Sequence, residues 1–158
     1  MKKKLLVGLC TAALAISLVG CGGSDEKKAE TPDKGSEVTM KDGTYEVETK
    51  NADDNGGKAK VVLTVADGKI TKAAYNEFTD KGNKREDKEY NDMMKEKAGT
   101  NPAVYEVELE KKIVESQSGD FDAVTGATSS SDKAKVLVKE AINNANEGKA
   151  EKELIEIK

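Results

Sequence analysis

Two stretches in which apolar and polar residues alternate, joined by a turn sequence, constrain the fold of this chain more than any other feature. The first half of the segment 58–78, KAKVVLTVADGKITKAAYNEF, has the spacing of a strand with one buried face. The apolar side chains on that face are Val61, Leu63 and Val65. Asp67 and Gly68 form a pair that favours tight turns between antiparallel strands, and Ile70 begins the return strand. The segment therefore predicts a β-hairpin.

Two shorter segments, at the two ends of the region, have strand features. DGTYEVETK, at 42–50, has Tyr45, Val47 and Thr49 alternating with charged residues, as in a half-buried strand. The tail EKELIEIK, at 151–158, fits either a last strand or a frayed chain end.

Two segments after the hairpin have helical features. REDKEYNDMMKEKA, at 85–98, places Tyr90, Met93 and Met94 on one side, and we assign both methionines to packing. The residues that follow Pro102, up to 117, fit a strand as well as a helix. The proline at the start and the length of the segment favour a helix.

The clearest helix follows a run of hydroxyl residues. SDKAKVLVKEAINNANEG, at 131–148, repeats apolar residues every three or four positions and ends at a glycine, and we expect Ser130 or Ser131 to cap its start. The whole pattern predicts an α+β domain over 41–158. We expect a small antiparallel sheet with a β-hairpin, packed by two or three helices, behind a lipidated flexible tether.

The N-terminus has the features of an export signal. Three lysines, Lys2 to Lys4, precede the mostly apolar run 5–19, which is too short to span a membrane comfortably. The run ends in LVGC, which resembles a bacterial lipobox, so we expect residues 1–20 to be a lipoprotein signal peptide, with diacylglyceryl attachment to Cys21 and cleavage just before it. A plain signal peptide with an incidental cysteine is the alternative, and a separate signalling role for the released peptide stays open.

A polar segment separates the expected lipid anchor from the folded region. Residues 21–40 are rich in Gly, Ser, Lys and acidic residues and have almost no large apolar side chain. A flexible chain of this length spans roughly 25 Å between its ends. We expect a tether that holds the domain away from the outer face of the cell membrane, outside the cytoplasm.

The composition excludes several kinds of chemistry. The chain has no His and two Cys, so the usual ligands of zinc, iron–sulfur and haem sites are missing, as is a histidine base. The formal net charge of −4 gives no support for nucleic-acid binding. Redox chemistry would therefore require an organic cofactor.

The stretch DAVTGATSSS, at 122–131, offers more hydroxyl groups than one helix cap needs. Small residues at 126 and 127 leave the backbone accessible, and the start of the next helix would favour an anion such as a phosphate. A purely structural capping role remains the alternative at this point.

In these residues the chain resembles the FMN-binding domain family, whose motif is D-x-x-[ST]-G-A-[ST]. The resemblance extends over about residues 42–147 and includes DGTYEVE, VVLTVADGKITKAAY and ESQSGDFDAVTGATSSS. Such domains occur in flavin subunits of bacterial NADH–quinone and ferredoxin-linked complexes and in extracellular flavin lipoproteins.

The resemblance implies that Thr128 carries covalent FMN through a phosphoester bond. A flavin transferase would make the bond from FAD with Mg²⁺ and release AMP. Asp122, Thr125, Gly126 and Ala127 would surround the attachment site, with Asp122 orienting the loop or assisting transfer. Ser129 is the nearest rival acceptor.

The resemblance also implies a role as an electron carrier rather than a complete enzyme. The expected partners are the flavin transferase, a membrane NADH or quinol oxidoreductase, and an extracellular acceptor such as iron or free flavin. The alternative is a lipoprotein that binds a small anionic ligand or a partner protein without redox chemistry.

Overall fold

The computed structural model describes residues 39–54, 56–149 and 152–157. The strands are β1 (Gly43–Thr49), β2 (Lys58–Ala66), β3 (Lys69–Thr79), β4 (Gly82–Asn83) and β5 (Glu153–Ile155). The helices are α1 (Lys88–Ala98), α2 (Pro102–Ser116) and α3 (Thr128–Glu147). The expected signal peptide, the lipidation of Cys21 and nearly all of the expected tether lie outside these residues. No helix within the described ranges is long and apolar enough to cross a membrane.

The five strands form one sheet in the order β4-β3-β2-β1-β5. The predicted hairpin is confirmed, because β2 and β3 pair antiparallel and Asp67 and Gly68 turn with positive φ angles of 53° and 70°. Strand β1 pairs antiparallel with β2. The C-terminal tail forms β5, which pairs parallel with β1 and makes the sheet mixed rather than wholly antiparallel. The α+β class is confirmed.

The core lies between the sheet and helices α2 and α3. Alternate residues are buried in β1, in β2 and in β3 from Ala73 onward, as the period of two requires, whereas a register shift interrupts the alternation between Ile70 and Ala73. The apolar stripe of α3 packs against them, and five of its residues are fully buried: Ala134, Leu137, Val138, Ala141 and Ala145. The segment that was ambiguous between strand and helix is helix α2, which buries Tyr105, Leu109 and Ile113.

Side chains of α2 cover the open edge of β3, since β4 pairs only with Phe78 and Thr79. Gln117 bonds both backbone groups of Ile70, accepting from its N–H and donating to its carbonyl at 2.8 Å each. Further along the edge, Glu110 accepts from the Tyr75 N–H at 3.1 Å and Glu106 accepts from the Glu77 N–H at 2.9 Å. These bonds replace those of a neighbouring strand and protect the edge from unwanted pairing.

Arg85 neutralises the two glutamates of this edge. Its guanidinium donates to Glu106 at 2.6 Å and to Glu110 at 2.7 Å, and also to the carbonyl of Tyr75 at 2.9 Å. Glu106 is fully buried, and burial raises its pKa, although the hydrogen bonds from the Glu77 N–H and from Arg85 act in the opposite direction. The Glu106 carboxylate therefore depends on Arg85 as its counter-ion.

Two local expectations were wrong. Helix α3 begins at Thr128, earlier than expected, and its N-cap is Ala127, with no side-chain capping bond from Ser130 or Ser131. The methionines of α1 are not core residues either. Asn91 is the buried residue of that helix, while Met93 is 39% exposed.

Replacing Arg85 by Ala should lower the free energy of unfolding by roughly 3–5 kcal/mol, because Glu106 then stays buried without a cation. The measurement is urea denaturation at pH 7. Lys88→Ala is the control, because it removes a cation whose pair with Asp92 is exposed. Equal effects of the two variants would contradict the assigned role of Arg85.

Candidate functional site

The loop of residues 117–127, called the α3 loop below, presents Thr128 as the first residue of helix α3. The Ser131 hydroxyl holds this loop by accepting from the Val124 N–H at 2.9 Å and donating to the Ala127 carbonyl at 2.8 Å. A turn bond from the Ala127 N–H to the Val124 carbonyl, at 3.0 Å, closes the same segment. The position of Thr128 is therefore set by buried hydrogen bonds before any ligand arrives.

Gly126 is required by packing within the protein. Its φ angle is +78°, and a Cβ atom there would lie 2.5 Å from the Ala98 carbonyl oxygen and 3.0 Å from Cγ2 of Thr100. Ala127 belongs to the hydrophobic core and is 6% exposed. Thus the small residues of the motif let the α3 loop approach the end of α1, whereas the sequence suggested that they leave room for a ligand.

The structure separates the five hydroxyl residues of the stretch 122–131 by accessibility. Ser130 and Ser131 are buried, whereas Thr125, Thr128 and Ser129 are exposed. Thr128 and Ser129 line a cavity of about 300 Å³, together with Gly126, Ala127 and Ser130 of the same segment.

We call this cavity the Thr128 cavity. Two residues of the motif do not line it. Asp122 and Thr125 are exposed and are not among its lining residues. The remaining lining residues come from other parts of the chain: Asp53, Glu77, Lys84, Tyr90, Met94, Tyr105 and Lys133.

The Glu77 carboxylate lies at the base of the Thr128 cavity and is 1% exposed. It accepts from Lys84 Nζ at 3.0 Å and from the Tyr75 hydroxyl at 2.9 Å, and the Lys133 ammonium lies 3.3 Å away. Burial by itself would raise the pKa of Glu77. The charges of Lys133 and Lys84, with hydrogen bonds from Ser130 and Lys84, outweigh burial and lower the pKa below its usual value of 4.5.

Lys133 joins α3 to the loop between β1 and β2. Its ammonium bonds Asp53 at 2.8 Å, in addition to its contact with Glu77. Burial acts to lower the pKa of Lys133, but Glu77 and Asp53 raise it above the usual value, so the group stays cationic. Lys133 is close to the start of α3, where the first N–H groups have no carbonyl partner within the helix.

At this site, the hydroxyls of the buried Tyr75 and Tyr105 act as hydrogen-bond donors. Tyr75 donates to Glu77 and also to the Ser130 carbonyl at 3.2 Å, and Tyr105 reaches Glu77 at 3.4 Å. Burial, followed by the charge of Glu77, raises the pKa of both phenols well above its usual value. Both hydroxyls therefore stay protonated.

The residues around Thr128 provide the groups that would bind a planar molecule carrying a phosphate ester. The α3 N-terminus favours one negative charge near Thr128, while the two lysines of the cavity balance the carboxylates of Glu77 and Asp53. Tyr90, Met94 and Tyr105 provide aromatic and thioether surface in the same cavity. The volume of about 300 Å³ lies at the lower end of the range of ligand pockets. These residues fit FMN.

Sequence reasoning missed Glu77, Lys84 and Lys133. The sequence did contain one signal for Glu77, because alternation places Tyr75 and Glu77 on the same face of β3 as the buried Ala73. A carboxylate on the buried face of a strand needs a cation nearby. Nothing in the local pattern identifies which lysines supply it. Within the described ranges, no group of three or more His, Cys, Asp or Glu residues could hold a metal ion.

Comparison with known proteins gives a family and a homologous structure. The model of the FMN-binding domain family matches residues 54–143, which include Thr128, Glu77 and Lys133. A crystal structure of a protein from Clostridium perfringens is 51% identical, covers 75% of this chain and 99% of its own, and has a TM-score of 0.74.

A more distant likeness is to a solution structure from Clostridium thermocellum. It is 25% identical, covers 67% of this chain and 92% of its own, and has a TM-score of 0.44. No curated protein matches the sequence.

Glu77→Gln should reduce the free energy of unfolding at pH 7 by roughly 3–5 kcal/mol, because the buried Lys84 ammonium loses its anion and Lys133 keeps only Asp53. A carboxyl group with a lowered folded pKa stabilises above its unfolded pKa. The difference in free energy of unfolding between the wild type and Glu77→Gln should therefore diminish as the pH falls from 4.5 through the lowered pKa that Glu77 has in the folded protein. Urea denaturation between pH 7 and pH 3 measures this, with the exposed Glu156→Gln as control. A pH-independent difference would refute the assignment.

Gly126→Ala should destabilise the protein more than Gly56→Ala. The two glycines have similar φ angles, +78° and +74°, but a Cβ atom at Gly56 meets nothing within 4 Å. Both variants bear the left-handed backbone strain of about 1–2 kcal/mol. Only Gly126→Ala adds the collision with Ala98, worth a further 1–3 kcal/mol or so. Thermal unfolding of both variants gives the comparison, and equal losses would exclude a packing role for Gly126.

Proposed function

Since this chain belongs to the FMN-binding domain family and is therefore a flavin-binding protein, we propose that Thr128 carries FMN as a phosphoester. The observation that supports this most directly is the position of Thr128. It is an exposed hydroxyl residue at the first position of α3, and it lines a cavity that also contains two lysines. A phosphodiester at Thr128 keeps one negative charge, which the start of α3 stabilises.

Accessibility favours Thr128 over the other hydroxyl residues of the motif. Ser130 and Ser131 are 8% and 0% exposed, so a transferase would have to unfold the start of α3 to reach them. Thr125 is exposed but lies outside the cavity lining. Ser129 remains the rival, and it lines the Thr128 cavity as well as a neighbouring one.

The attachment reaction is a phosphoryl-group transfer from FAD. The Thr128 oxygen forms a bond to the phosphorus of the FMN half, the pyrophosphate bond breaks, AMP leaves and the hydroxyl proton is released. Glu77 is a poor base for that proton because Lys84 and Lys133 hold it ionised with a lowered pKa. We therefore assign proton removal and Mg²⁺ binding to the flavin transferase rather than to this chain.

The role we propose is that of an electron carrier. When bound, FMN supplies reversible electron transfer through its isoalloxazine ring. This chain would hold the phosphate at the start of α3. We propose a membrane NADH or quinol oxidoreductase as donor and iron or free flavin as extracellular acceptor.

A covalent bond suits the location that we propose, which is the outer face of the cell membrane with a lipid on Cys21. Outside the cytoplasm, a dissociated flavin would be diluted, and a non-covalent site would empty by mass action. The proposed location depends on the lipobox-like LVGC and on the polar segment 21–40.

A second function has one observation in its favour. The start of α3, which borders the Thr128 cavity, would also hold a free small anion without any covalent chemistry. On this alternative, the protein isolated from its own cell envelope is colourless and releases no flavin after denaturation.

Thr128→Ala should abolish covalent flavin, because it removes the acceptor oxygen. The measurement is intact mass after co-expression with a flavin transferase, where the wild type gains the mass of one FMN. Ser129→Ala is the matched control, since it removes the adjacent exposed hydroxyl and should leave the FMN mass in place. Covalent FMN on the Thr128→Ala protein would overturn the assignment.

A further inference from the structure

Helix α1 lies outside the hydrophobic core. None of its residues belongs to the core cluster or to the apolar residues packed against that cluster. Its buried residue is the polar Asn91, and the helix has 11 residues. Helices of this length are marginal in water without tertiary packing.

Polar contacts hold α1 in place along one side. The Asn91 amide donates to the carbonyls of Lys84 at 2.8 Å and Asp87 at 2.6 Å, and its oxygen accepts from the Ala103 N–H at 3.0 Å. The Asp87 carboxylate caps the helix by accepting from the Tyr90 N–H at 2.9 Å. These bonds fix the orientation of α1, but they bury little apolar surface.

The apolar side of α1 faces the Thr128 cavity instead. Tyr90 and Met94, one turn apart on the helix, both line the cavity, whereas the neighbouring Met93 does not. Across the cavity lies Tyr105 of α2, and the Lys84 ammonium is 5.7 Å from the centre of the Tyr90 ring. The helix therefore presents an aromatic ring and a thioether to the space beside the proposed attachment point.

We propose that Tyr90 and Met94 form the platform on which the isoalloxazine ring packs, and that this contact supplies the apolar packing that α1 lacks. The proposal rests on the attachment of FMN at Thr128. The phosphate and the ribityl chain tether the ring to Thr128, so the ring must lie in a space within reach of that linker. Contact with an aromatic ring and a thioether favours a planar aromatic group.

A neighbouring cavity of about 460 Å³ is the competing location. It shares Asp53, Ser129 and Lys133 with the Thr128 cavity, but Thr128 is not in its lining. Its other walls are mostly polar or small: Thr49, Asn51, Ala52, Asp54, Gly57 and Ile157. It has no aromatic side chain, so the ring gains more contact against α1.

Hydrogen exchange of the full-length protein, with and without covalent FMN, tests the proposal. Flavinylation should slow the exchange of the α1 backbone amides about tenfold, because ring packing opposes local opening of that helix. Met94→Ala should abolish the slowing, and Met93→Ala should preserve it. The α1 amides of unflavinylated Met94→Ala must exchange as in the unflavinylated wild type, which shows that the variant helix still forms.

Circular dichroism in the visible absorption bands of the flavin provides a second measurement. A ring held against α1 should give a signal that Met94→Ala diminishes and Met93→Ala retains. Slower exchange at residues 51–54 in place of α1 would put the ring in the neighbouring cavity and overturn the proposal.

Intact mass, read together with hydrogen exchange, distinguishes failure of the α1 platform from failure of the FMN attachment at Thr128. Unchanged α1 exchange in protein that carries FMN on Thr128 overturns the platform alone. If the wild type gains no FMN mass in the presence of a flavin transferase, the attachment at Thr128 and the platform both fail.

Discussion

The structure depends most on one buried carboxylate, that of Glu77. It receives the Lys84 ammonium from the end of the sheet, the Tyr75 hydroxyl from its own strand and the Lys133 ammonium from α3. Apolar packing brings α3 onto the sheet, but it does not by itself fix the position of the helix start. The charged contacts made by Glu77 do so together with the Ser131 hydrogen bonds to the α3 loop, and they place the first turn of α3 beside the Thr128 cavity. The stability of the fold and the geometry of the site thus rest on the same group.

Strand β3 shows how the fold and the site share one element. Its hydrogen-bonding edge is covered by Glu106 and Glu110 of α2 and by Gln117, the C-cap of that helix, and its buried face provides Glu77. Consequently, α2 reaches the site both through the backbone of β3 and directly through Tyr105. A change in the edge contacts would be transmitted to the base of the cavity.

Local periodicity predicted most of the fold, because the hairpin, α2 and α3 each follow from residues near in sequence. It misjudged α1, since a helical stripe such as that of Tyr90 and Met94 looks the same whether it faces a core or a cavity. The motif around Thr128 was identified from its resemblance to a family. Glu77 and Lys133 were missed because their contact joins positions 56 residues apart, and no sequence period describes such a pair.

The contact between Gly126 and the Ala98 carbonyl has a consequence for how this sequence can change during evolution. The obstructing atom is a backbone oxygen, so it is present whatever side chain occupies position 98. No exchange at that neighbouring position can make room for a larger residue at 126. A substitution in the core can be compensated by a neighbouring side chain of complementary volume. At Gly126 the obstructing atom belongs to the backbone, so a change of side chain at position 98 cannot compensate. Substitution there requires the end of α1 to move away from the α3 loop.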